Sequence, residues 1–419
     1  MRQQGLAALE IPANTPPGTP GGAPGGDHVA QENILAVRRL TLSDFRCYDH
    51  QRIDIDDSGG SSIVVLTGDN GAGKTNVLEA LSFLVPGRGL RRAKLSEIIR
   101  LREEGAGLSP WGVAATVATP SGAVDIGTGF QAGVSGARDK RVVRIDGETM
   151  KSQAALGGYV SAQWLTPQMD RLFLEGPGSR RRFLDRLVFD SDPAHLGRFN
   201  AYEHAMRERL RLLRSGRGDK NWLDALEDTM ATKGIAVAAA RLDVVRRLGR
   251  HLSDNTGAFP KASADAAGEI EDWLGDGPAL AAEDRFRDAL KANRSRDAQE
   301  GRSTIGVHKS DFLVRHLGNG QAAALCSSGE QKALLIALVL AAARMRAKDL
   351  GTAPLLLLDE VAAHLDDTRR VALFDEIAGL GAQVWLTGTD QGLFSPLAGR
   401  GQFFNVCEGA ITPALCGTS

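Results

Sequence analysis

Short apolar runs and long stretches of helical spacing alternate along the chain. Val37, Leu40 and Leu42 predict a strand that leads into Asp44-Phe45-Arg46. Ser62-Ile63-Val64-Val65-Leu66-Thr67 is a largely apolar run entering glycines, the pattern of a strand buried on both faces of a parallel sheet. Val77, Leu78, Leu81 and Leu84 follow with helical spacing, predicting a helix that lasts until Pro86-Gly87. From about 179 to 290 the pattern is helical, broken at Ser215-Gly216-Arg217-Gly218 and Gly275-Asp276-Gly277-Pro278. Strand character returns at Asp311-Phe312-Leu313-Val314. A helix is expected from Gly329 to Lys348, then strands at Leu355 to Leu358 and Val384 to Thr387. Neither a long heptad run nor an internal repeat is present. Strands at both ends around a helical block predict an α/β fold: a mixed sheet with helices over 33–165 and 301–419, interrupted by a mainly helical lobe over 166–300. Residues 1–32, with Pro12, Pro16, Pro17, Pro20, Pro24 and paired glycines, are expected to be a disordered tail.

Composition narrows the function classes. The 419 residues suggest two to three domains at about 150 residues each. A net charge of −1 means that an anionic partner must be held by a local basic surface. Aromatics at 5% argue against a surface of base-stacking rings. Cys47, Cys326, Cys407 and Cys416 have no C-x-x-C spacing, which disfavours a disulfide scaffold or zinc ribbon and points to a reducing, cytoplasmic compartment. The apolar stretches Ala333 to Ala343 and Pro354 to Leu358 are shorter than the ~20 residues of a membrane span, and the N-terminus does not read as a signal peptide. No membrane partner is expected.

Gly68-Asp69-Asn70-Gly71-Ala72-Gly73-Lys74-Thr75 satisfies G-x-x-x-x-G-K-[ST]. Glycines let successive N–H groups turn inward as an anion nest, and the helix beyond adds its partial positive charge. Lys74 would reach the β- and γ-phosphates of a nucleotide and the Thr75 hydroxyl would ligate Mg²⁺. The bare pattern arises by chance in roughly two per hundred such sequences. The strand before it and the helix after it make an incidental glycine turn the weaker alternative.

Four leucines precede Asp359-Glu360, as in a strand emerging at the carboxyl edge of a sheet. Asp359 is assigned to the metal and Glu360 to the attacking water; the bland alternative is a core strand ending in an acidic turn. Ser327-Ser328-Gly329-Glu330 opens the last long helix and offers a hydroxyl, backbone donors and a helix dipole to a γ-phosphate, more naturally that of a partner subunit. Its bland alternative is an ordinary N-cap with Glu330 in a partial capping box.

The order phosphate loop, Ser-x-Gly-Glu, Asp-Glu, then Ala363-His364-Leu365-Asp366 resembles the ABC-type ATPase head. About 250 residues separate Thr75 from Ser327, a gap similar to that of SMC-like heads without their coiled coils. Leu42-Ser43-Asp44-Phe45-Arg46-Cys47-Tyr48, Asp69 to Ala80, and Gly178-Ser179-Arg180-Arg181-Arg182-Phe183-Leu184-Asp185 resemble the RecF family of bacterial recombination-repair proteins, over roughly Ile34 to Val406.

That resemblance implies an ABC-type ATPase lobe that binds ATP and Mg²⁺, with Asn76 in the loop motif and Arg46 near the nucleotide. Ser327, Gly329 and Glu330 would complete the partner's site in an ATP-dependent homodimer, and Asp366 would cross that interface. It further implies binding of single- and double-stranded DNA at gaps or junctions, slow DNA-dependent ATP hydrolysis, and work with RecO and RecR to load RecA in DNA repair, replication, recombination and the SOS response. Gly306-Val307-His308-Lys309-Ser310-Asp311 departs from the family's G-P-H-R-D-D. Thr387, in Trp385-Leu386-Thr387-Gly388-Thr389, stands where many ABC ATPases have a switch histidine; it can contact a γ-phosphate but cannot accept a proton as histidine does. Gln168 is the candidate linking glutamine.

Between 180 and 217 lie ten arginines and five acids. Arg207, Arg211 and Arg214 share a helix stripe, and Arg91 and Arg92 belong to a second cluster with Arg88 and Lys94; these are the candidate DNA contacts, through the backbone rather than the bases. Against this stand intrahelical pairs such as Glu203–Arg207, and a structural role for Arg180 to Arg182 in tying the insert to the sheet. Two other functions remain open: a transporter ATP-binding subunit, disfavoured by the long gap before Ser327, and a phosphotransferase that would leave Ser327 dispensable.

Overall fold

The computed structural model describes residues 34–56, 62–100, 110–133, 139–216 and 219–414; the expected tail 1–32, Arg217 and Cys416 lie outside them. In chain order the elements are β1 (Ala36–Phe45), β2 (Tyr48–Asp54), β3 (Ile63–Thr67), α1 (Lys74–Ser82), β4 (Gly112–Thr119), β5 (Gly122–Gln131), β6 (Lys140–Ile145), β7 (Glu148–Thr149) and β8 (Ala162–Leu165). Then come α2 (Pro177–Ser191), α3 (His195–Ser215), α4 (Lys220–Ser253), β9 (Ala262–Ala267), α5 (Glu269–Asp276), α6 (Ala279–Ala292), α7 (Arg294–Glu300), β10 (Asp311–His316) and α8 (Ser328–Leu350). The chain closes with β11 (Leu355–Leu358), α9 (Asp367–Ala378), β12 (Val384–Gly388), β13 (Gln402–Cys407) and β14 (Ala410–Ala414).

Two compact units result: one holds the described residues up to Pro167 and from Arg346 onward, the other spans Gln168–Met345. The second unit runs past residue 300, where the sequence pattern suggested that the insertion ends. The first contains two six-stranded sheets. One, ordered β2-β1-β4-β5-β6-β7, is antiparallel. The other, ordered β14-β13-β3-β12-β11-β8, is parallel except at β14. β3, β11 and β12 are buried along their whole length, as expected of central strands covered on both faces. The antiparallel sheet over 110–150 carries little sequence signal. β4 reads Gly-Val-Ala-Ala-Thr-Val-Ala-Thr and β5 is rich in glycine, so the Val, Ile and Thr positions of both strands are interrupted by alanine and glycine, which have little strand preference.

The helix after the phosphate loop is shorter than its spacing predicts. It stops at Ser82, where the N–H of Phe83 turns back to the carbonyls of Ala80 and Leu81. The Ser82 hydroxyl donates to Glu79 O at 2.6 Å and accepts Leu90 N–H at 2.7 Å. Beyond it the chain wraps around the half-buried Arg141, which donates to the carbonyls of Phe83 and Val85, and to Gly87 O at 2.9 Å. Burial pushes the Arg141 guanidinium down to about 9. The guanidinium satisfies these carbonyls in place of helical N–H groups, so the helix ends without orphaned acceptors.

The second unit is a helical assembly around Tyr202, Met230, Ile235, Ala238, Trp273, Phe286, Leu290 and Val307. β10 does not extend the main sheet; it pairs with β9 in a separate two-stranded ribbon. β9 reads Ala-Ser-Ala-Asp-Ala-Ala, with no large apolar residue to reveal it.

Candidate functional site

The loop between β3 and α1 turns at Gly68, Gly71 and Gly73, with φ of 148°, 85° and 120°. L-residues resist these angles. Space is also short: a Cβ on Gly68 would lie 2.1 Å from Val406 O, and one on Gly73 would lie 2.7 Å from Cys47 Sγ and Tyr48 Oη. Gly71, by contrast, has nothing within 4 Å, and with Asp69 and Asn70 it forms an exposed rim. The Tyr48 hydroxyl donates to Gly73 O at 3.0 Å, anchoring the back of the loop to β2. Lys74 Nζ folds over the loop, donating to Gly68 O at 2.7 Å and Asp69 O at 2.8 Å. Burial lowers its pKa, while the charges of Glu360, Asp359 and Asp69 act to raise it.

The acidic residues meet this loop across the parallel sheet. β12 lies between β3 and β11, so the strand carrying Thr387 separates the two that deliver Thr75 and Asp359. Thr75 Oγ1 sits 2.9 Å and 3.1 Å from the two Asp359 oxygens. The Thr387 hydroxyl donates to Asp359 Oδ1 at 2.8 Å and accepts the Glu360 N–H at 2.9 Å. Thr387 thus joins this carboxylate cluster through both a donated and an accepted hydrogen bond. Burial raises the Asp359 pKa, partly countered by the hydroxyls of Thr387 and Thr75. Glu360 has left-handed backbone, φ 52°, an unusual state for this residue type that turns the chain at the strand's end.

The donor set fits a magnesium–nucleoside triphosphate. A hydroxyl and a carboxylate together are the hard oxygen ligands that Mg²⁺ takes from a protein, with phosphate oxygens and water supplying the rest. Among the described residues no group of three or more His, Cys, Asp or Glu could form a self-sufficient metal cage. Thr75 and Asp359 would hold the ion, Lys74 the phosphates, and Glu360 a water.

Arg46 occupies a left-handed turn, φ 56°, and grips Glu79 through two parallel bonds of 2.8 Å, with Nη1 on Glu97 O at 2.9 Å. Arg91, a candidate DNA contact from sequence, donates to Asn76 Oδ1 at 2.6 Å and to Glu79 at 3.2 Å. It therefore faces α1 and the nucleotide side. Arg92 is exposed, with φ 57°. Sequence reasoning did not single out Glu79, which is fully buried. The signal was present: an acid flanked by Val77, Leu78, Ala80 and Leu81 on a core helix needs a buried partner.

Ser327, Gly329 and Glu330 lie in the second unit, at the start of α8. The capping alternative is the observed local structure: Glu330 accepts both the Ser327 N–H and its hydroxyl at 2.8 Å, which lowers the Glu330 pKa. Ser327, Ser328 and Gly329 are exposed, with nothing within 4 Å of a Cβ on Gly329. Gln168 is likewise exposed. In the first unit, Asp366 caps α9, accepting Arg369 N–H at 2.8 Å.

The arginine-rich segment divides into buried and exposed members. Arg209 is buried, donating to Glu227 at 2.8 Å and Asp297 at 2.6 Å, and Arg180 pairs bidentately with Asp311 on β10 at 2.8 Å. Arg207 and Arg211 are exposed and make the intrahelical pairs Glu203–Arg207 at 3.6 Å and Glu208–Arg211 at 2.9 Å, while Arg214 donates to Gly301 O. In the departing Gly306–Asp311 stretch, His308 accepts from Tyr202 Oη at 2.8 Å and bonds Ser303 O at 3.0 Å. Burial lowers the His308 pKa.

Residues 36–401 match the family model described as RecF/RecN/SMC N terminal domain. The chain is 46% identical over 379 residues to the DNA replication and repair protein RecF of Mesorhizobium japonicum, covering 90% of this chain and 97% of that one. It is 47% identical over 382 residues to the protein of the same description from Agrobacterium fabrum, covering 91% and 99%. A solved structure of the recombination mediator protein RecF-ATPrS in the RecFOR pathway superposes with a TM-score of 0.78 at 21% identity, covering 91% of this chain and 99% of that one, and shows the same fold. An Smc head bound to the C-winged helix domain of ScpA superposes at 0.51 with 14% identity, covering 90% and 97%. These relatives do not favour a transporter subunit, and no helix among the described residues is long and apolar enough to cross a membrane. With its ABC-type head fold and this extent of similarity, the chain belongs to the RecF family of DNA replication and repair proteins.

Proposed function

We propose that the chain is a slow, DNA-dependent ATPase whose ATP-bound pairs hold gapped or junction DNA, and that it acts with RecO and RecR in loading RecA. The observation that carries the reading is the Thr75–Asp359–Thr387 cluster at the carboxyl edge of the parallel sheet, beside a glycine loop capped by Lys74. Relatives named for DNA replication and repair, and a solved RecF described with ATPrS, support it.

In this reading Lys74 neutralises phosphate charge, Thr75 and Asp359 hold Mg²⁺, and Glu360 orients a water. The bound ion would spread the developing charge on the phosphate oxygens. Ser327 and Gly329, exposed at the start of α8, and the half-buried Glu330 beside them suit a phosphate presented by a second copy. Exposed Arg92, Arg207 and Arg211 suit nucleic-acid phosphates. Thr387 makes no base, so turnover is slow.

Light scattering with ATP, ADP or neither, each with and without a gapped duplex, tests this. The expected result is doubling of mass with ATP, and a larger complex on DNA that Glu360→Gln makes persistent. A chain that stays single with ATP and ignores gapped DNA would overturn the reading. Loss of nucleotide binding in Lys74→Ala checks the loop separately.

A further inference from the structure

We infer that Glu79 is a positioning residue of the nucleotide site, a single buried carboxylate through which Arg46 and Arg91 are both fixed to the helix that starts at Lys74. This inference rests on the nucleotide-binding reading above.

Glu79 is fully buried in α1, one turn beyond Thr75. A buried carboxylate persists in a fold only where charge and hydrogen bonds compensate it. Here two chain segments supply them. From the turn after β1, Arg46 gives Nε and Nη2 in a planar fork at 2.8 Å each. From the stretch after α1, Arg91 gives Nη1 at 3.2 Å and places the same nitrogen 2.6 Å from Asn76 Oδ1. Asn76 and Glu79 stand three residues apart on one helix face, so the two contacts of Arg91 reinforce each other.

Both arginines are connected to the phosphate loop in other ways. Arg46 is followed by Cys47, whose Sγ accepts from Asn76 Nδ2 at 3.2 Å, and by Tyr48, whose hydroxyl holds Gly73 O at 3.0 Å. A Cβ on Gly73 would touch both side chains at 2.7 Å, so this turn is packed directly against the loop. Arg91 contributes a charge that acts on Asp359. Glu79 therefore controls two quantities at once: how firmly the turn supports Gly73, and where a positive charge stands relative to the metal-binding carboxylate. A carboxylate that merely stabilised the fold would have no reason to couple these.

The test is a mutant cycle on Glu79→Gln, Arg46→Lys and Arg91→Gln, read by binding of a fluorescent ATP analogue with Mg²⁺, by steady-state KM and kcat, and by thermal melting. Wild-type and Lys74→Ala proteins come first: absent binding by wild type would defeat the nucleotide reading, not this inference. Given wild-type binding, Glu79→Gln should weaken the analogue about tenfold, and adding Arg46→Lys or Arg91→Gln to it should weaken it little more. If Glu79→Gln does not fold, Arg46→Lys with Arg91→Gln should cost less together than the product of their separate effects, because they share one carboxylate. Independent, multiplying effects, or a lower melting temperature with unchanged nucleotide affinity, KM and kcat, would overturn the inference.

Discussion

The hydroxyl of Thr387 donates to Asp359 Oδ1 at 2.8 Å, joining the ends of two neighbouring strands, β12 and β11. Thr387 Oγ1 in turn accepts the Glu360 N–H at 2.9 Å. One small side chain therefore orients the Asp359 carboxylate and steadies the left-handed backbone of Glu360.

Thr387→Val keeps the shape of this buried residue and removes the hydroxyl. A hydrogen bond to a charged group contributes about 1.5–3 kcal/mol, so turnover should fall about tenfold or more. Thr387→Ser should restore most of it. ATPase assays beside nucleotide-binding titrations check this; a valine variant with wild-type kcat would show that the hydroxyl does not orient the acids.

Gly68→Ala would force a Cβ to within 2.1 Å of Val406 O at a φ of 148°. Backbone on β13 cannot yield as a flexible side chain can. The variant should lose nucleotide binding, and its melting temperature should drop by several degrees, as expected for a cost above about 2 kcal/mol. Gly71→Ala has open space around it and should lose less stability.

Glu271 is buried, and its Oε1 has no hydrogen-bond partner, whereas Oε2 accepts from Ser310 Oγ at 2.8 Å. Burial raises its pKa. The folded state therefore binds the proton more tightly than the unfolded chain, so this group's contribution to stability falls as pH rises through the interval between the two values. Glu271→Gln removes that loss. Its melting temperature relative to wild type should be higher by a few degrees near neutral pH, corresponding to about 1 kcal/mol. The advantage should shrink on acidification, and melting curves across pH with a constant difference would count against it.

Arg207 and Arg211 have side chains 66% and 59% exposed, and their intrahelical pairs contribute little to stability. Replacing both with alanine should leave the melting temperature within about a degree. If they meet DNA phosphates, affinity for a gapped duplex should fall similarly for all sequences, and the salt dependence should become shallower by about one unit per contact. Unchanged DNA affinity and salt slope would remove α3 from the DNA surface. Arg209→Ala, by contrast, should unfold the second unit, since it leaves Glu227 and Asp297 buried with reduced compensation.

The phosphate loop, its flanking strand, the Leu355–Leu358 strand and the long helix at 328 were all legible along the chain. The elements that were not legible share a weakness of composition: in β4 and β5 alanine and glycine interrupt the Val, Ile and Thr positions, and β9 holds only alanine and small polar residues, whose strand preference is slight. The end of α1 was misread for another reason. Leu84 continues the apolar spacing, but the carbonyls beyond Ser82 are turned to Arg141, a residue nearly sixty positions later.

What the sequence determined by itself is what depends on near neighbours: glycines where φ must be positive, a lysine and threonine at the head of a helix, Ser327 and Glu330 three residues apart in a capping box. These are set within one or two turns of chain. Only the tertiary structure decided that Thr75 and Thr387 would both meet Asp359, that Arg46 and Arg91 would share Glu79, and that Arg209 would be buried while Arg207 stayed in solvent. Periodicity tells which face of an element turns inward. It does not say what lies against that face, because strand order and packing bring together residues hundreds of positions apart, and a charge takes its role from the partner it meets there.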